Sequence, residues 1–322
     1  MKTTKTFAIG VDLGGTSIKT GIVDKKGKIL DQVTVDSKAS KGPPAVIRQI
    51  NCTIRHFLKK YRQSECMGIG VGSPGVVSIE EGLVKHPPNF ANWGEVALSK
   101  AIRKVTNLPI FVENDANVAA IAEAKYGAGV DYKDFLFVIW GSGVGGGIIL
   151  DKKIFRGAHG GAGEIGHVSI DYNGPLCNCG NRGCIEAYIG QRYLSKRTKE
   201  ILLSQPKDAL PSKIIEFVEG NMNKIDPYII SMAAEHGDHI ARQILEEAGK
   251  LLGYALASIL NVLDVRIVVI GGGVSAAPQH VYKAMETSLR SRILKPNKAA
   301  VRIVRAKLGN SAGMIGAASL MM

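Results

Sequence analysis

The chain has 322 residues, of which 45% are apolar and 6% aromatic, with a net charge of +13. That length suits two domains better than one core, and the absence of low-complexity tracts or long like-charge blocks excludes a disordered polymer. No apolar run is long enough to span a bilayer and the N-terminus lacks the apolar centre of a secretion signal, so a cytoplasmic protein with no membrane partner is expected.

Residues 7–12 (FAIGVD) read as an apolar strand, LGGTS as a turn, IKTGIVD as a second strand, KKGK as a second turn and ILDQVTV as a third strand. Together they predict an antiparallel meander with glycine turns. Next, Ile47, Ile50, Ile54, Phe57 and Tyr61 recur at helical spacing behind two prolines that suit a helix start. MGIGVGSPG is a strand ending in a tight turn, and PIFVEND is another that runs into the alanine-rich helix ANVAAIAEAKYG. From residue 135 the pattern restarts: FLFVIWGSGVGGGIILDKK repeats the strand, glycine turn, strand and Asp-Lys-Lys turn of the opening. One echo, at a period too long for a solenoid, predicts two related domains. Beyond residue 185 the chain is mainly helical. It holds a long amphipathic helix over HIARQILEEAGKLLGYALASILNVLD, a buried strand VRIVVI stopped by three glycines, and a final small-residue helix, AGMIGAASLMM, expected to pack back on the first domain. The expected domains are 1–118 with 306–322, and 119–305.

Lysine and arginine look scattered along the chain and form no recognisable module. A charge this large could mean nucleic acid or equally a basic surface that attracts anionic metabolites; with no module to carry it, no nucleic-acid partner is expected, and the sequence leaves the reason for the charge open.

Three glycine turns stand at strand ends. In DLGGTSIK, Asp12 closes a strand and Gly14 and Gly15 let the backbone approach a ligand. Free N–H groups and the Thr16 hydroxyl can hold phosphate oxygens, and Asp12 can face Mg²⁺. No Gly-Lys-Ser/Thr follows as in a P-loop, and an ordinary hairpin would use the same residues. In GSGVGGG, with Gly141, Ser142, Gly143 and Gly145, no helix follows, so a phosphate-binding turn fits better than a dinucleotide fold. Gly271, Gly272 and Gly273 would let a base or ribose approach the backbone. Three such turns favour a nucleotide cleft. In ENDAN, Asn114 and Asp115 lie where a strand gives way to a helix. A sugar-facing amide with a general base, and plain helix capping, fit that position equally.

Cys177, Cys179 and Cys184 lie within eight positions, and His167 stands ten residues before the first. Disulfides rarely persist in a reducing compartment, and C-x-C is not the C-x-x-C redox spacing. Three sulfurs and one imidazole complete a tetrahedral structural zinc site. Glu164 and Glu186 flank the cluster, and a metal there would fix both as acceptors for sugar hydroxyls.

DLGGTSIK, GSPG, ENDAN, GSGVGGG, GEIGH and CNCGNRGCIE occur in an order that resembles the ROK family of bacterial sugar kinases, repressors and open reading frames. The resemblance runs from about residue 7 to the end. It implies the actin-like, ribonuclease-H-like ATPase fold, with two α/β domains around a cleft. By this likeness Asp12 positions Mg-ATP. The turn of Gly14, Gly15 and Thr16, with Lys19 of the same motif, and the 141–146 turn hold its phosphates, while the 271–273 turn lies near adenosine. Asp115 would be the catalytic base. Asn114, Glu164, His167 and Glu186 would hold sugar hydroxyls, with Gly75 and Asn89 lining the sugar side. His167 would give one ring nitrogen to zinc and leave the other for sugar. RGAHGGAGEIGH is similar to the glucokinase form of that loop, so phosphorylation of glucose at O6 is expected, with an N-acetylmannosamine or N-acetylglucosamine kinase as the alternative. Relatives are commonly dimers or tetramers, so a homodimer or homotetramer is expected. Regulators of the family carry a DNA-binding winged helix before the first strand. That strand begins here near residue 7, so a regulator is the lesser expectation.

Overall fold

The computed structural model describes residues 5–206 and 212–322. They form two compact units, one of residues up to Phe137 with Gly147–Gly163 and Ala306–Met322, the other of Val138–Gly146 with Glu164–Arg305.

In the first unit, β1 (Phe7–Leu13), β2 (Ser17–Asp24) and β3 (Ile29–Asp36) form the expected meander, followed by α1 (Pro43–Lys60) and β4 (Cys66–Ser73). Three short strands then pair antiparallel in a small separate sheet, β5 (Val76–Ser78), β6 (Leu83–Lys85) and β7 (Glu95–Ala97). After them come α2 (Leu98–Ile102), β8 (Ile110–Asn114) and α3 (Asp115–Tyr126). The main sheet runs β3-β2-β1-β4-β8, with β1, β4 and β8 parallel. Ile9 and Val11 of β1 join Ile50, Ile54 and Phe57 of α1 in one core. On the opposite face Gly10 lies against Met314 and Ala318 of the last helix, α10 (Ala312–Ser319). Covered on both faces, β1 reads as a near-continuous apolar run.

The second half of the chain contributes β9 (Phe135–Trp140), β10 (Val144–Leu150) and β11 (Lys153–Phe155). Helices follow: α4 (Glu186–Ile189), α5 (Gln191–Leu203), α6 (Lys213–Phe217), α7 (Pro227–Glu235) and α8 (His239–Leu263). Then come β12 (Ile267–Gly271), α9 (Gln279–Arg292) and β13 (Arg302–Arg305). This sheet runs β11-β10-β9-β12-β13. Its order repeats that of the first sheet strand for strand, which is the structural counterpart of the sequence echo.

The observed units differ from the expected domains. Residues 119–137 and 147–163 lie with the first unit. The cause is packing that sequence spacing does not reveal: α3 packs along α10. The buried Glu123 carboxylate of α3 accepts N–H groups from Ala128, Lys307 and Leu308. One carboxylate thus ties α3 to the chain that leads into α10.

Candidate active site and cysteine cluster

In the first unit the candidate side chains gather at one edge of a parallel sheet. Register pairs Asp12 with Gly72 on β4, and Gly72 with Glu113 on β8. Asp12 and Asn114 therefore end strands two places apart, ~10 Å at the usual strand spacing. The carboxyl ends of parallel strands are where open α/β sheets bind ligands. Burial pushes the Asp12 carboxyl up from its ordinary range, and Lys19, opposite it on β2, acts against that shift. The Lys19 ammonium also donates to the Asn310 carbonyl at 3.2 Å. A Cβ on Gly313, at the start of α10, would fall 2.7 Å from the Asp12 carboxyl carbon, so only glycine lets the helix start approach this carboxylate. A desolvated carboxylate beside a glycine turn is a donor that fits Mg²⁺.

The turn after β1 is tied down by Ser37. Its N–H donates to the Thr16 carbonyl and its hydroxyl to the Gly15 carbonyl at 2.7 Å. Asn89, expected on the sugar side, sits beside Gly15, within 3.5 Å of where a Cβ on that glycine would be.

Asn114 caps α3. Its Oδ1 accepts from the Ala116 and Asn117 N–H groups at 2.9 and 3.2 Å, and its amide donates to the Gly75 carbonyl at 3.1 Å. Asp115 is the first residue of that helix, and its Oδ1 accepts from the Ala116 N–H. Beneath them lies Glu113, 1% exposed. Its Oε1 accepts from the Asn114 N–H and the Asn117 amide, and its Oε2 pairs with the Arg156 guanidinium at 2.7 Å. Glu113 thus fixes the strand-to-helix corner that presents Asp115.

In the second unit three motifs converge on one turn. The Val144 N–H donates to Glu186 Oε2 at 2.9 Å, and the Gln191 N–H to the Ser142 carbonyl. A Cβ on Gly143 would lie 2.4 Å from Glu186 Oε2, so glycine is required for this carboxylate to reach the turn. The Trp140 indole donates to the Ile189 carbonyl. The glycine turn after β9 is therefore built against the start of α4. The turn after β12 is its neighbour, with Gly273 N 3.9 Å from a Cβ on Gly141.

His167, Cys177, Cys179 and Cys184 place one ligand atom each within 4.8 Å of one another. His167 Nδ1 is 3.8 Å from Cys177 Sγ, and Cys179 Sγ is 3.6 Å from Cys184 Sγ. Zinc bonds of ~2.1 Å to nitrogen and ~2.3 Å to sulfur, arranged as a tetrahedron, give ligand separations of ~3.6–3.8 Å, so the set fits zinc. Burial and the two neighbouring thiols push Cys184 up to about 12, so a cation is needed for three thiolates to coexist. His167 Nε2 points the other way, 4.0 Å from the Glu164 carboxylate.

Each unit thus assembles its share of the expected residues. Sequence reasoning missed Glu113, Arg156, Ser37 and Gly313. The acidic residue before ENDAN's asparagine was the one visible hint, since an isolated Glu closing an apolar strand needs a partner.

Residues 8–322 match the ROK family. The chain is 34% identical to the glucokinase of Thermotoga maritima over 97% of its own length and 96% of that protein. It is 28% identical to the xylose repressor of Caldicellulosiruptor bescii, covering 98% of this chain and 77% of the repressor. Among solved structures, a ROK family glucokinase from Streptomyces griseus in complex with glucose and AMPPNP superposes with a TM-score of 0.85 at 32% identity, covering 98% of each chain.

Proposed function

The chain belongs to the ROK family, has the family's actin-like ATPase fold and is a sugar kinase; we propose that it transfers the γ-phosphoryl group of ATP to the 6-hydroxyl of glucose. Asp115 is the general base: its carboxylate takes the hydroxyl proton as that oxygen bonds to the γ-phosphorus and the bond to the ADP oxygen breaks. The turns at Gly14–Thr16 and Gly141–Gly145 hold phosphate oxygens, and the 271–273 turn takes the adenosine. Mg²⁺, held at Asp12, supplies charge neutralisation at the phosphates when bound. Asn114, Glu164, Glu186 and His167 Nε2 orient the sugar hydroxyls. His167 Nδ1 and the three cysteines hold zinc, which supplies a rigid crosslink and no chemistry. The cytoplasm, where ATP and free hexose meet, is the place for this reaction.

One observation carries the reading: Asp115 leads a helix at the same sheet edge as Asp12, in a chain similar over nearly its whole length to glucokinases. The test is ADP release from Mg-ATP with glucose, N-acetylmannosamine, N-acetylglucosamine, fructose and allose. Glucose is expected to lead. An N-acetylhexosamine ahead would move the substrate, and no turnover in zinc-replete protein would sink the kinase. Sugar binding without turnover would favour a second reading, a sugar-responsive regulator, which draws on the likeness to the xylose repressor.

A further inference from the structure

Residues 37–64 carry seven lysines and arginines and residues 96–112 three more, and neither stretch holds an aspartate or glutamate. Folded, these stretches are α1 and α2 with their flanks. Arg48 and Arg55 are seven residues apart, hence on one helix face and ~10 Å apart along its axis. Asn51 lies on the same stripe, and its amide donates to the Ala101 carbonyl of α2 at 3.4 Å. The two arginines therefore flank the seam between α1 and α2. Arg103 and Lys104 leave the end of α2. With Gln63, Thr106 and Asn107 they line a cavity of about 440 Å³ beyond the end of α1.

The charge on this face is largely uncompensated. Lys38, Lys60 and Arg62 pair with Asp36, Asp31 and Glu65. Among the described residues Arg48, Arg55, Lys59, Lys100, Arg103 and Lys104 form no ion pair, and all are exposed. Neither stretch exposes a large apolar side chain among the described residues. Phe57 is buried, and the Tyr61 hydroxyl is bound to Asp31.

We propose that this face binds the phosphate backbone of a nucleic-acid duplex without reading its bases. Arginine, lysine, threonine, asparagine and glutamine are the side chains that contact phosphates, and they line both the seam and the cavity. A membrane surface would call for apolar anchors, a tight protein partner for aromatic hot spots, and a single strand for aromatic platforms under its bases. The face offers none of these. Scattered in the sequence, the charge is gathered in the fold.

The test is fluorescence anisotropy of a short random-sequence DNA duplex with the full chain, between about 50 and about 200 mM salt. Log affinity is expected to fall linearly with log salt. Replacing Arg48, Arg55, Arg103 and Lys104 together by alanine is expected to shrink the slope by about 3–4 and leave sugar-dependent ADP release unchanged. Replacing the same four arginine and lysine positions by the other basic residue is expected to keep binding. A charge-matched control, with Lys196, Arg242, Lys250 and Lys283 changed to alanine, is expected to bind like wild type. Equal loss in that control would overturn the proposal, as would no duplex binding at low salt. Tighter binding of single strands, inorganic polyphosphate or anionic vesicles would overturn it too.

Discussion

The two five-stranded sheets have the same strand order, and glycine turns stand at strand ends in both halves of the chain, but the two units hold their candidate side chains by different means. In the first unit regular structure does the holding. Asn114 caps α3, Glu113 and Arg156 brace the cap from below, and Asp12 sits on a paired strand against the start of α10. In the second, Glu164 and His167 stand on a single short turn, and the chain from there to α4 has no helix or strand beyond isolated bridges. There the four clustered cysteine and histidine ligands offer the constraint that secondary structure does not. A side chain can be positioned by backbone alone where a helix begins at a sheet edge, whereas side chains on an irregular loop gain from a crosslink.

The contrast predicts unequal responses to mutation. Asp115→Asn keeps the helix start and removes the proposed base, so turnover should fall by about 10²–10⁴-fold with the fold intact. Turnover close to wild type, measured by ADP release, would take that role from Asp115. Cys179→Ser should act only in the second unit: zinc by elemental analysis should be lost and the KM for sugar should rise by about 10–100-fold. Full zinc content in the variant, or no zinc in the wild type, would break the comparison on that side. Glu113→Gln is the counterpart in the first unit. Losing the charge opposite Arg156 should cost about 1–3 kcal/mol of stability in a urea melt. By loosening the Asp115 corner it should also lower turnover roughly tenfold with zinc content unchanged.

How much of this was legible beforehand follows from the range of each interaction. The meander, α1 and α8 announce themselves through periodicity and α3 through its alanines, and both signals are local. The cysteine cluster shows because its ligands crowd one short stretch. The small sheet of β5 to β7 does not, because its strands are three residues each, and His86, Asn89 and Asn92 between them take left-handed conformations that no glycine signals. The roles of Glu113 and Glu123 were hidden for another reason. Their partners are 43 and 184 residues away in Arg156 and Lys307, and a buried carboxylate is explained only by what it meets. The misplaced domain boundary has the same origin, since Glu123 and α10 draw α3 into the first unit.

The smallest effect expected concerns Asp12, where burial of the carboxyl is set against its proposed hold on Mg²⁺. Burial raises its carboxyl above the ordinary 3.8, with Lys19 opposing. A raised folded value means that its contribution to stability is fully present below the unfolded value and is lost as pH rises through the folded one. At neutral pH keeping this carboxyl buried therefore costs stability until a cation meets it. Asp12→Asn should melt higher than wild type at pH 7 without Mg-ATP, by roughly 2–4 °C for each kcal/mol relieved. The gap should close as pH falls toward about 4, where the wild-type carboxyl is protonated as well. With saturating Mg-ATP the order should reverse, because ligand that binds only the folded wild type raises its melting temperature and the asparagine variant lacks the charge to hold the cation. A variant that melts lower at pH 7 would mean that the Lys19 pairing outweighs the burial, and that Asp12 is a structural residue of the β1–β2 hairpin.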